Sequence, residues 1–203
     1  MPKKVLIIGP EGSGTTTTFV NLVKITGFER SINIEGKNPN GIITHFSVPN
    51  GRPRDIYTDY APNPNSKAWL PSNLQLGNFL VVLVNRDKLD TIYSAYRRFF
   101  QTKPTDWVKH PKLGLVGIQK AIEFYEFSIQ NIKQELADVR PLVVNYEDMT
   151  ADPEAYYSHI CDFIDVPFRP VIDFKPAMPR RFIQDQAAMA EFARRGWYPD
   201  KTQ

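Results

Sequence analysis

The sequence predicts an α/β protein, a three-layer α/β/α sandwich around a central parallel sheet. Three observations carry that expectation. Residues 5–8 (VLII) and 79–84 (FLVVLV) are near-continuous apolar runs, as strands buried on both faces are. A glycine-rich or polar turn and then a helix-period segment follow each run. Strand and helix signals alternate along the chain, which favours parallel pairing through crossover helices. With 203 residues and 42% hydrophobic content, the chain suits one α/β domain spanning residues 1–203 and is short for two.

Taken in order, the strand at 5–8 runs into a turn at Gly9, Gly12 and Gly14, then four threonines. A helix is predicted from Thr15 to about Thr26, with Phe19, Leu22, Val23 and Ile25 for its buried stripe and Gly27 as its stop. Residues 29–41 are polar and turn-rich, with a short strand predicted at 32–34. Segments 41–48 and 55–59 flank Pro49-Asn50-Gly51, and the Asn-Gly pair predicts a small β-hairpin there. Residues 61–77 carry three prolines and read as an irregular loop, of the kind that can act as a lid. After the strand at 79–84, a helix is predicted through about Phe100. A basic loop at 101–113 and a long helix from about Leu115 to Ala137 come next. A buried strand at 142–144 leads to a helix opened by Asp152-Pro153-Glu154, where proline and acids are good start signals. A short helix around 186–195 ends the pattern.

Composition excludes several classes. A net charge of +3 is compatible with an anionic ligand but too mild to argue for nucleic acid. The single cysteine, Cys161, rules out an intramolecular disulfide and a cysteine metal cluster. The chain opens directly into a strand, and no apolar run approaches the ~20 residues of a membrane span. The expectation is a soluble cytoplasmic protein without membrane or nucleic-acid partners, its oligomeric state left open.

Four stretches could carry chemistry. The turn Gly9–Thr16 has the glycines to curl successive N–H groups inward ahead of a helix N-terminus, which suits a cluster of anionic oxygens; the alternative is a plain βα turn. A nucleotide-triphosphate loop would carry lysine after Gly14, where this one has Thr15 and Thr16. Arg86 stands at the carboxyl end of a predicted strand and Ser94 two turns into the next helix, a fork and a hydroxyl that could converge on a phosphate monoester. The alternative pairs Arg86 with Asp87 or Asp90 and leaves Ser94 to cap or pack. Tyr146-Glu147-Asp148-Met149 reads by itself as a strand end with an acidic helix approach. Arg180, Arg181, Arg194 and Arg195 read as solvated surface in the absence of a partner anion.

Together these segments resemble the sulfotransferases that use 3′-phosphoadenosine 5′-phosphosulfate (PAPS). Their phosphosulfate loop reads Pro-(Lys/Arg)-Ser-Gly-Thr-Thr, matched here by Gly12-Ser13-Gly14-Thr15-Thr16. Their 3′-phosphate motif opens with an Arg-Asp pair and places a serine eight positions after the arginine, as Arg86-Asp87 and Ser94 do. A Tyr-Glu-Asp-Leu-like string before an Asp-Pro helix start is matched by Tyr146-Glu147-Asp148-Met149 and Asp152-Pro153. The resemblance implies a P-loop NTPase-like, sulfotransferase-like fold and transfer of a sulfuryl group to a hydroxyl or amine, releasing adenosine 3′,5′-bisphosphate with no metal. Gly12, Ser13, Gly14, Thr15 and Thr16 would then hold the 5′-phosphosulfate. Arg86 and Ser94 would hold the 3′-phosphate, Tyr146 would approach the adenine, and Arg194-Arg195-Gly196 would close over the 3′-phosphate. Thr44-His45 matches part of the family's Lys-Thr-His string, so His45 is either the general base or an ordinary strand histidine facing solvent. The acceptor would be a small molecule or glycan.

Two departures stand out. Gly12, beside Glu11, occupies the position of the loop cation, and removing one such electrostatic contact typically costs roughly 10²–10³ in rate. Arg52, Arg54, Lys67 and Arg180 are the candidate replacements. Thr17 replaces the aromatic that stacks on adenine. The competing expectations are a P-loop nucleotide or small-molecule kinase, which needs a hydroxyl on Mg²⁺ and a lysine on the phosphates where this loop has Thr15, and a non-catalytic nucleotide-binding protein.

Overall fold

The structure, a computed structural model, describes residues 3–30, 41–48, 57–58, 61–62, 76–100, 117–170 and 180–198. Its centre is β1 (Lys3–Pro10), whose last six residues are buried. Alternate side chains of β1 serve different layers. Val5 and Ile7 pack with Phe19, Leu22 and Ile25 of α1 (Thr15–Thr26). Leu6 and Ile8 pack on the other face with Ile132 and Leu136. A strand covered on both faces has no polar side, which is why its sequence is an unbroken apolar run.

Five parallel strands make the sheet, in the order β2-β3-β1-β6-β7. The others are β2 (Glu29–Arg30), β3 (Gly41–Val48), β6 (Leu80–Asn85) and β7 (Leu142–Asn145). After β6 come α2 (Lys88–Ala95), a π-helical stretch (Tyr96–Phe100) and α3 (Ile118–Glu135), which supplies Ile132 to the second layer. After β7 come α4 (Tyr146–Ala151) and α5 (Pro153–Phe163), which pack on the same side as α1 through Met149 of α4 and Tyr157 and Ile160 of α5. A 3-10 turn (Arg181–Gln184) and α6 (Gln186–Arg194) pack through Phe182 and Phe192 on α2 and α3. The predicted α/β/α layering and parallel sheet are what the structure shows.

The hairpin expectation needs correcting. β3 pairs in parallel with β1 along one edge and, at Ile42 and Ile43, with β2 along the other, and Tyr57–Thr58 of the expected second arm pairs with Ala61–Pro62 instead. The burial of β3 explains why: Gly41 to Thr44, Phe46 and Val48 are all buried, the pattern of an inner strand rather than of a half-exposed hairpin arm. A two-stranded antiparallel pair does form, between β4 (Tyr57–Thr58) and β5 (Ala61–Pro62). The edge strand falls at Glu29–Arg30, while the stretch 32–34, the Asn-Gly turn and the basic loop at 101–113 lie outside the described residues. The helix expected to reach Phe100 is α-helical to Ala95 and π-helical beyond.

Candidate active site

Parallel pairing puts the carboxyl ends of β1, β3, β6 and β7 on one edge of the sheet, where ligands of open α/β sheets bind. The register aligns Pro10 with Val48 and Asn85 with Asn145. The glycine turn, Arg86 and Tyr146 therefore leave adjacent strands side by side.

Gly12 and Gly14 shape the turn. Their φ values are 90° and 101°, left-handed conformations that strain any other residue. Gly14 is also the N-cap of α1 and has no side-chain hydrogen bond to offer. The first-turn N–H groups of α1 thus have neither intrahelical partners nor a side-chain cap, and no acid lies in that turn. An anion is the complement such an end lacks. Contacts behind the turn are close. A Cβ on Gly14 would lie 2.4 Å from the Tyr146 ring, and one on Gly12 would lie 2.9 Å from Ser94 Cβ and 3.0 Å from the Thr91 carbonyl oxygen.

Arg86 ties these pieces together. Its Nη1 donates to the Gly12 carbonyl at 2.9 Å, and its guanidinium lies 4.6 Å from the centroid of the Tyr146 ring. Neither nearby acid takes it: Asp87 accepts from the N–H groups of Leu89 and Asp90 as the cap of α2, and Asp90 accepts from the Arg180 N–H at 3.0 Å. Two buried polar atoms have no hydrogen-bond partner among the described residues, Ser13 Oγ and Arg86 Nε. Buried polar atoms are normally paired, and both of these belong to the turn and the arginine that the sequence pairs with phosphates.

A cleft of about 290 Å³ opens beside them, lined by Arg86, Asp90, Tyr93 and Ser94, by Arg97 and Arg98 of the π-helical stretch, and by Arg181. Arg98 forms an ion pair with Glu11. The acid that sequence reasoning set against the loop is thereby neutralised. Burial raises the Asp90 carboxyl above its ordinary value, opposed by the Arg180 N–H and the Arg86 charge.

The remaining expected residues fall as follows. Thr15 is buried and its hydroxyl lies 2.9 Å from Ser47 Oγ, tying the turn to β3. Thr16 is exposed, with Oγ1 3.4 Å from His45 Nε2. His45 is half-buried and stacks on Phe19 with centroids 4.3 Å apart. Arg30 lies over the other partner of that stack, 5.3 Å from the Phe19 centroid. Burial and then the Arg30 charge hold the His45 imidazole below its ordinary value. Arg194 and Arg195 both bond Glu191, at 2.7 Å each, and Arg195 lies over Trp197 and donates to Gln119. Neither is among the residues lining the cleft. Arg180, a candidate loop cation, offers its backbone N–H to Asp90 from a left-handed conformation; Arg52, Arg54 and Lys67 lie outside the described residues.

Sequence reasoning missed Tyr93, Arg97 and Arg98, and named Asp90 only as a possible partner of Arg86 and Arg181 only within a basic surface set. A signal existed for most of them. Positions 90, 93, 94, 97 and 98 are spaced to share one face of a helix with Ser94. Among the described residues no group of His, Cys, Asp and Glu is arranged to hold a metal, and no helix is long and apolar enough to cross a membrane.

Comparison with known proteins adds the following. No curated protein sequence matches the chain. Among solved structures it is similar to the crystal structure of mouse sulfotransferase SULT7A1 complexed with PAP, at a TM-score of 0.50 and 14% identity. That match covers 82% of this chain and 60% of the mouse protein, a likeness of fold. The family model of the sulfotransferases matches residues 42–170. That span is more than half of the chain and holds His45 of β3, Ser94 of α2, and Arg86 and Tyr146, which follow the ends of β6 and β7. The chain belongs to the sulfotransferase family.

Proposed function

We propose that the protein transfers a sulfuryl group from 3′-phosphoadenosine 5′-phosphosulfate to a hydroxyl or amine of a small-molecule or glycan acceptor. The observation that supports it best is the pair of orphaned buried donors, Ser13 Oγ and Arg86 Nε, at a glycine turn whose helix end is uncapped. The donor nucleotide fits what these groups lack, an anion at each. The 5′ end would be held by Gly12, Ser13, Gly14, Thr15 and Thr16, the 3′-phosphate by Arg86 and Ser94, and Tyr146 would border the base. When bound, the donor supplies an activated sulfuryl group on a phosphate leaving group. The chain supplies orientation and charge: first-turn N–H groups of α1 face the negative charge that develops on the 5′-phosphate, while Arg86 anchors the 3′-phosphate. His45, kept neutral by its surroundings, takes the acceptor's proton at Nε2. A cytoplasmic setting belongs to the same reading and is compatible with the one cysteine, buried and unpaired.

Gly12 favours a second reading, nucleotide binding without transfer. The space a side chain would need is already taken by Ser94 and the Thr91 carbonyl, so no loop cation arises from that position. Radiolabelled donor and a broad panel of hydroxyl and amine acceptors separate the two. Label appearing on an acceptor, and lost in Arg86→Ala, supports transfer. Tight binding of adenosine 3′,5′-bisphosphate with no labelled product supports the second reading.

A further inference from the structure

Resting on the donor reading above, we propose that Arg181, with Arg97 beside it, is the cation that closes the 3′-phosphate end of the site, in place of Arg194 and Arg195. The C-terminal pair is committed elsewhere. Glu191 accepts from both arginines, in a bidentate contact with Arg194 at 2.9 and 2.7 Å, and those bonds hold the Glu191 carboxyl down at about 2. Arg195 is further engaged by Gln119 and stacked over Trp197. Moving either residue onto a phosphate would break that arrangement.

Arg181 is placed differently. It lines the same cleft as Arg86 and Ser94, is exposed, and has no ion-pair partner among the described residues. Its position is fixed by the chain before it. The Arg180 N–H donates to Asp90 Oδ2, and Arg180 adopts a left-handed conformation at φ 52°. The turn that follows is anchored through Phe182, which is buried and packs edge-on against Tyr93 and Phe192. A backbone pinned to α2 on one side and to the core on the other holds Arg181 at the cleft that Ser94 also lines. Arg97 follows Ser94 by three residues, on the same helical face. Two guanidinium groups that line one cleft with a hydroxyl and Arg86 make a site for a phosphate dianion, which such forks bind better than ammonium groups do.

The test compares adenosine 3′,5′-bisphosphate with adenosine 5′-monophosphate, which lacks only the 3′-phosphate, by calorimetric titration of the full chain. Wild type is expected to prefer the bisphosphate. Arg181→Gln is expected to reduce that preference roughly tenfold or more, the scale of one charge-assisted contact, while its affinity for the monophosphate, which also reports folding, stays unchanged. Arg181→Lys should recover part of the loss. An unchanged preference in Arg181→Gln overturns the proposal, as does a preference that collapses in Arg195→Gln instead. Wild type with no affinity for the bisphosphate would sink the donor reading itself, a different result from either.

Discussion

At the scale of single residues, the missing loop cation is a steric fact as much as an electrostatic one. A lysine introduced at position 12 would need its Cβ within 2.9 Å of Ser94 and would sit at φ 90°. Gly12→Lys is therefore expected to destabilise the protein by about 1–3 kcal/mol without raising the transfer rate; urea unfolding and labelled-product assays would show both. Glu11 is tolerable beside an anion because Arg98 pairs with it. Arg98→Gln should weaken adenosine 5′-monophosphate and the 3′,5′-bisphosphate alike, and Glu11→Gln in the same chain should restore both affinities, by titration. His45 carries a pH signature. Its folded-state pKa lies below the ordinary 6.5, so the group is neutral above that value and its protonation matters only below it. As general base it predicts a kcat/KM that is level from pH 6.5 to 8 and falls as pH drops through the lowered value. His45→Gln should slow transfer by roughly 10²–10⁴ and remove that acid limb. Stability follows the same sign: the unfolded histidine takes up its proton first, so wild type loses this contribution as pH falls below 6.5.

At the scale of elements, α2 organises the site. Its cap, Asp87, receives the N–H groups of Leu89 and Asp90, and Glu147 of α4 accepts the Asp87 N–H at 3.0 Å. One residue thus sets the helix that carries Asp90 and Ser94, right after Arg86. Asp87→Ala is expected to cost about 0.5–2 kcal/mol in urea unfolding and to weaken bisphosphate binding, since Arg86 and Ser94 lose their common reference. Most elements were legible in the sequence for reasons the structure bears out. Residues 5–8 and 79–84 are apolar throughout because two layers cover them, α1 is bounded by Gly14 and Gly27, and α5 begins at Asp152-Pro153. The hairpin went wrong because an Asn-Gly pair is local information, while β3 is placed by burial on both faces and by pairing with β1 and β2. Periodicity could have weighed against it: segment 41–48 does not alternate cleanly between apolar and polar.

Over the whole molecule, the site is a product of sheet topology. The glycine turn, Arg86 and Tyr146 are separated by dozens of residues, and they meet because β1, β6 and β7 are parallel neighbours. Their presence was legible from motif order; the distances were not, nor was the sharing of the cleft by Arg97, Arg98 and Arg181, because the return of the C-terminal segment over α2 depends on Phe182 and the Asp90–Arg180 contact. Arg194 and Arg195 show the converse. Their sequence fits a phosphate-closing motif, yet Glu191 on the same helix claims them. The central claim is that this edge of the sheet binds a nucleotide carrying phosphates at both 5′ and 3′ positions. Thermal unfolding with adenosine 3′,5′-bisphosphate tests it most directly. At about 100 times its Kd a ligand stabilises by about 2.7 kcal/mol, which for a chain of this size is a rise in Tm of roughly 5–10 °C. The account predicts that rise for the bisphosphate and a smaller one for adenosine 5′-monophosphate at equal concentration. No rise with the bisphosphate, or a larger one with ATP and Mg²⁺, would contradict it.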